Sequence, residues 1–101
     1  MDKSVKFKDF DCIAKLSKYS DTNQPSLRLI DKEDGLPVAN ASLNLSNYPL
    51  SEGCIFIKDY SENSGMLSAL QAANIIGKVE AEYPLSQFVN VQMCKLLIEE
   101  E

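Results

Sequence analysis

Asp59 and Glu62, three positions apart and followed by Asn63, are the side chains best placed by type and spacing to do chemistry together. Carboxylates at i and i+3 near a helix start can hold a divalent cation or share a proton, so metal binding and acid–base hydrolysis are the two reactions they suggest. A calcium loop, however, needs more oxygen donors at alternate positions than the run Lys58-Asp59-Tyr60-Ser61-Glu62-Asn63 supplies. Asp59 closes an apolar strand, and Ser61 and Asn63 are residue types that satisfy turns and helix caps. The block is therefore expected to join sheet to helix, with its oxygens occupied by the backbone.

Other reactive constellations are missing. The chain contains no histidine and three cysteines, Cys12, Cys54 and Cys94, none with Cys-x-x-Cys spacing. That excludes the usual structural zinc sites and the Ser-His-Asp and Cys-His pairs of nucleophilic catalysis. Each cysteine sits inside an apolar pattern, which predicts reduced thiols in a core and a cytoplasmic setting. No cofactor, metal or enzymatic activity is expected.

Two further groups could bind rather than react. Lys6, Lys8, Lys15 and Arg28 would line one outward face if the strands carrying them are neighbours, and could hold phosphates through charge-assisted bonds. No glycine-rich phosphate loop accompanies them, and lysines on an edge strand also discourage aggregation. Tyr48-Pro49-Leu50-Ser51 and Tyr83-Pro84-Leu85-Ser86 repeat one pattern, each leading into a strand. Proline sets the turn while tyrosine and leucine anchor it. Tyr48 and Tyr83, together with Asp59, Tyr60 and Glu62, form the candidate partner-binding set, since tyrosine is enriched in interaction hot spots.

The charge is uneven along the chain. Residues 1 to 32 carry seven Lys or Arg against five Asp or Glu, leaving +2, whereas residues 33 to 101 carry three against ten, leaving −7. The formal net charge is −5, and the sequence closes on an acidic tail at 99 to 101. Such a surface repels nucleic acid and attracts basic protein surfaces. No apolar run is long enough for a membrane span, and no secretion signal is expected.

With 101 residues, 45% hydrophobic and 25% charged, the chain fits one folded domain spanning 1 to 101. Alternation with period two dominates. Val5 and Phe7, then Phe10, Cys12, Ala14 and Leu16, predict a long or bulged opening strand over the first 17 residues. Residues 20 to 25 read as a loop, 27 to 30 as a short strand, and 31 to 35 as a hairpin turn closed by Gly35. Residues 38 to 45 return as a strand with Ala39, Ala41, Leu43 and Leu45 on one face. A third inner strand follows at 54 to 57.

One helix is predicted, from Ser64 or Gly65 to Ala73, capped by Asn63 or Ser64 and ended by Asn74 in the left-handed conformation. Met66, Leu67, Leu70 and Ala73 form its apolar stripe. Ile75 and Ile76 start extended chain, and residues 88 to 97 form the last strand, with a bulge or register change near Met93. The expected fold is α+β, an antiparallel sheet of about five strands with one helix across one face.

The segments Leu27-Arg28-Leu29-Ile30-Asp31, Gly35-Leu36-Pro37-Val38-Ala39, Asn47-Tyr48-Pro49-Leu50, residues 56 to 67 and Ala72-Ala73-Asn74-Ile75 resemble a family of small uncharacterised domains carried by phages, plasmids and related mobile elements. The likeness runs over roughly residues 26 to 97, and Lys58-Asp59-Tyr60-Ser61-Glu62-Asn63 is its most specific part. Family members commonly place Gly where this chain has Asn74, and the first 25 residues match less well. The resemblance implies a genomic context rather than a reaction.

These readings lead to a non-enzymatic binding protein that docks on a host protein in the host cytoplasm, such as a CRISPR or other defence nuclease, and blocks it. The alternative is a protein that sequesters a nucleotide-like signal at a basic pocket or dimer interface, and a homodimer is compatible with either.

Overall fold

The computed structural model describes residues 3 to 99. Of the acidic tail at 99 to 101, only Glu99 falls among them, and it is exposed; the first two residues of the opening segment also lie outside. The fold is α+β, as expected, but with two antiparallel sheets in place of one. The first has the order β1 (Lys3–Phe7), β2 (Phe10–Lys18), β3 (Pro25–Asp31) and β4 (Pro37–Asn40). The second has the order β5 (Cys54–Ile57), β7 (Asn90–Leu96) and β6 (Ile76–Pro84), and one helix, α1 (Met66–Ala72), lies between β5 and β6 in the chain.

The long opening strand is in fact a β-hairpin. Val5 and Phe7 are buried at odd positions, Cys12 and Ala14 at even ones, and this change of parity marks a two-residue turn at Lys8 and Asp9. Lys8 takes φ 55, and Phe7 pairs directly with Phe10. The turn at 31 to 35 forms as predicted. Gly35 has φ 74 and donates to Asp31 O at 3.0 Å, while Asp31 and Asp34 accept from the amides two residues on.

The strand expected at 38 to 45 stops at Asn40 because the chain then changes partners. Ala41 N still donates to Leu27 O on the first sheet, but Lys58 N donates to Ala41 O and Leu43 N to Phe56 O on the second. Ser42 and Ile57 form an isolated bridge. One segment therefore stitches the two sheets together, and α1 contacts the outermost strand of each, β1 and β6. The main core lies inside this curl, where Leu27, Leu29, Ala41, Ile55, Met66 and Leu70 are fully buried.

A second cluster covers the other face of the three-stranded sheet. Phe56, Val91 and Met93 are buried there beneath Leu43, Leu45, Tyr48 and Leu50 of the connecting loop. Both faces of this sheet are thus covered, which the run of four buried residues in β5 reflects. The first sheet keeps one open face, carrying Lys6, Asp11, Lys15 and Arg28.

Extended chain after Ile75 becomes the nine-residue strand β6, whereas β7 begins at Asn90 rather than Phe88. The irregularity expected near Met93 is present, with the extra residue on β6: Val79 pairs with Cys94 and Ala81 with Met93. Register shifts, together with exposed Lys78, Glu80 and Glu82, blunt this edge strand against pairing with another chain. No helix among the described residues is long and apolar enough to cross a membrane.

Candidate functional site

Asp59 and Asn63 of the 58 to 65 block have structural tasks, while Ser61 serves the turn through its carbonyl, which accepts from Ser64 N at 3.1 Å. Asp59 Oδ1 accepts from Leu67 N at 2.8 Å, so the helix is capped by a residue eight positions upstream. The N-cap position itself is Gly65 with φ 95 and no side-chain bond, which corrects the expected cap by Asn63 or Ser64. Asn63 is 1% exposed and its Nδ2 donates to Asn40 O at 2.6 Å and Lys58 O at 3.1 Å, tying the end of β4 to the end of β5. At the far end of α1, Asn74 has φ 60, Asn74 N donates to Gln71 O, and Ile75 N donates to Leu70 O. That pair of bonds is a Schellman stop.

Asp59 and Glu62 are consequently not brought together. Glu62 Oε2 accepts from Lys58 Nζ at 2.6 Å, and Lys58 also lies 5.5 Å from the Tyr60 ring centroid. The hydrogen bond from Lys58 holds the Glu62 carboxyl below its usual range, and the same bond raises Lys58. Among the described residues no three of Cys, Asp or Glu gather as a metal site. Asp59→Ala is expected to lower stability by about 1 kcal/mol, the worth of a helix N-cap, in a urea melt. A wild-type midpoint in that variant would refute the capping role.

The two Tyr-Pro-Leu-Ser segments meet. Tyr48 and Tyr83 stack with ring centroids 4.8 Å apart and an interplanar angle of 19°, and Tyr48 Oη donates to Pro84 O. Tyr83 also meets Phe56 edge-on at 6.3 Å. Both tyrosines are half-buried supports of the second cluster.

Of the basic set, Lys6, Lys15 and Arg28 share the open face of the first sheet, and Lys8 leaves it. Lys8 Nζ donates to Glu62 O at 2.8 Å and sits over Phe7, away from the open face. Lys6 is opposite Asp11, while Lys15 and Arg28 are directly opposite each other. A smaller cleft of about 350 Å³ beside α1 is lined by Lys6 and Lys32 but by none of the other three. A cleft of about 820 Å³ is lined by none of the four; among the described residues lining it the cation is Lys18.

All three cysteines are free and buried. Cys94 pairs with Ile55 and faces the main core, whereas Cys54 belongs to the second cluster, so they lie on opposite faces of the sheet. Burial pushes the Cys94 thiol up to about 11, and burial also raises Cys12 and Cys54. Thiolate is scarce at neutral pH in all three. A thiol reagent such as dithionitrobenzoate is expected to leave the folded protein unmodified and to titrate every cysteine after denaturation; rapid labelling of the native state would contradict this packing.

The most exposed large apolar side chain lies at the position expected to open the last strand. Phe88 is 88% exposed at the tip of the β6–β7 hairpin. Leu85 N and Ser86 N both donate to Val89 O, and Phe88 N to Ser86 Oγ, so a closed turn presents the ring to water. The polar pair Ser86-Gln87 after Pro84 is the sequence signal for that turn. β5 leaves the sheet at the same end, where Ile57 pairs with Gln92, so Asp59, Tyr60 and Glu62 share this end with Phe88 and the stacked tyrosines. No known protein family matches the chain, and neither does any curated protein or solved structure.

Proposed function

We propose that the protein is a non-enzymatic binding domain that docks on a basic surface of a host protein through the Phe88 end of its three-stranded sheet. The resemblance of residues 26 to 97 to mobile-element domains supports a counter-defence role, with a defence nuclease as the class of target. The observation that carries the reading is a phenylalanine held in water at the tip of a braced hairpin. Burying such a ring against a partner stabilises a complex by about 1.5 to 3 kcal/mol, and aromatic anchors dominate interface energetics. Tyr48 and Tyr83 hold the hairpin base, and Glu82, Glu62 and Tyr60 supply the acidic and aromatic surroundings. The net charge of −5 favours a basic partner and hastens its encounter.

Capture from host lysate with matched baits tests this. The native chain is expected to retain one stoichiometric basic protein, while Phe88→Ala loses roughly thirtyfold in affinity, the effect of a 2 kcal/mol hot spot, at an unchanged melting temperature. Equal retention by both baits would move the interface elsewhere. Repeated absence of any partner for well-folded bait would remove the reading.

A further inference from the structure

We propose that Asp34 is a site of covalent self-modification, where the backbone isomerises to isoaspartate at a rate set by opening of the β3–β4 turn. Asp34 is the one Asp or Asn in the chain that is followed by glycine. The reaction needs the amide nitrogen of the next residue to reach the aspartyl Cγ, and a side chain on that residue obstructs the approach. Gly35 has none, and even a Cβ placed there would meet no atom within 4 Å. Residues 32 to 37 are all exposed, so water reaches the site freely.

The step balances with water as the only co-reactant. Gly35 N bonds to Asp34 Cγ as a carboxyl C–O bond breaks, and the amide hydrogen leaves with the hydroxyl as water, giving a cyclic succinimide. Water then reopens the ring. Attack at Cγ restores aspartate, whereas attack at the Asp34 main-chain carbonyl leaves residue 34 joined to Gly35 through Cγ, with its α-carboxyl free. Mass is conserved, and the backbone gains a methylene.

The closed turn occupies both reacting groups. Gly35 N donates to Asp31 O at 3.0 Å, and Asp34 Oδ1 accepts from Leu36 N at 2.9 Å. Asp31 N donates to Leu36 O at 2.9 Å across the base of the loop, and Asp31 Oδ1 accepts from Glu33 N at 2.8 Å. Ring closure therefore waits on local opening, and exposed hairpin tips lie at the low end of opening free energies. Once formed, isoaspartate takes the acceptor away from Leu36 N and lengthens the link that sets Pro37 against Ile30. The strand that carries the chain to the stitch between the sheets then loses its anchored start.

Peptide mapping of the full chain after prolonged incubation at neutral pH, with isoaspartate quantified by carboxyl methyltransferase labelling, tests this. The native chain is expected to yield a mass-neutral, chromatographically shifted peptide containing residue 34, with no comparable isomer at Asp9, Asp11, Asp21, Asp31 or Asp59. In guanidinium chloride the same product should form roughly tenfold faster, the effect of releasing two hydrogen bonds. Asp34→Glu, which would have to close a larger ring, should stay unlabelled at an unchanged melting temperature. In the isolated isomer the Leu36 amide should exchange faster than in the fresh chain. No isomer at residue 34, equal rates in the folded and unfolded chains, persistent labelling of Asp34→Glu, or unchanged exchange at Leu36 would each overturn the proposal.

Discussion

Asn63→Ala is expected to lower the stability of the fold by about 3 kcal/mol, because it strips the donor from two carbonyls, Asn40 O and Lys58 O, at a fully buried position. For a domain of this size that is roughly 12 to 24 °C in melting temperature. The amide is the joint between the strand that leaves the first sheet and the strand that opens the second, so its loss loosens both. Asn63→Asp sharpens the test. A carboxylate cannot donate to either carbonyl, so the folded state favours its neutral form and the variant's folded pKa lies above the unfolded value of about 3.9. The sign follows: the variant is most stable in acid and loses stability as pH rises through that folded pKa. A fall of less than 1 kcal/mol for alanine, or a pH-independent aspartate variant, would show that Asn63 is not the staple described.

Phe56→Ala is expected to cost more, about 3 to 5 kcal/mol, through lost burial and a cavity. Phe56 is 1% exposed and centres the second cluster, where it meets Tyr83 edge-on and lies under the loop carrying Leu43, Tyr48 and Leu50. The main core contributes nothing to that face. Hydrogen exchange should therefore speed up first in residues 43 to 50 and at the β6–β7 tip, with Leu27, Leu29 and Leu70 protected for longer. Uniform loss of protection would mean that the two clusters unfold as one unit. The experiment bears on function as well, since the Phe88 hairpin stands on this cluster.

Much of the local structure was legible in residue types. Asp31, Asp34 and Gly35 announce their turn, Met66 and Leu70 their buried helix face, and Asn74 its left-handed stop. These features depend on neighbours within a few positions, and short-range hydrogen bonds and parity report them directly. The opening hairpin was also written there, in the switch from odd to even apolar positions between Phe7 and Phe10, but parity alone does not separate a turn from a bulge. β6 carries the alternation of exposed Lys78, Glu80 and Glu82 with half-buried Val79, Ala81 and Tyr83, blurred by the register shifts that interrupt its pairing.

The candidate site was legible in part. Residues 58 to 65 are expected to serve the backbone, and Asp59 and Asn63 do so, whereas Lys58 and Glu62 pair with each other; which amide or carbonyl each reaches is not written in the sequence. Asp59 caps a helix from eight residues away, and Asn63 reaches a strand 23 positions back. Both depend on a chain reversal that no local pattern specifies.

The amino-acid order alone determined an acidic α+β domain with one short helix, buried unpaired cysteines, and a polar junction between strand and helix. Those outcomes follow from composition, period and turn chemistry, which act over a few residues. Only the tertiary structure decided that the strands divide between two sheets joined at Ala41 and Ser42, that two distant tyrosines stack, that Lys8 parts from the other three basic residues, and that Phe88 is left in water. Each of these is a contact or an exposure between segments far apart in the chain, set by how the sheets curl around a shared core.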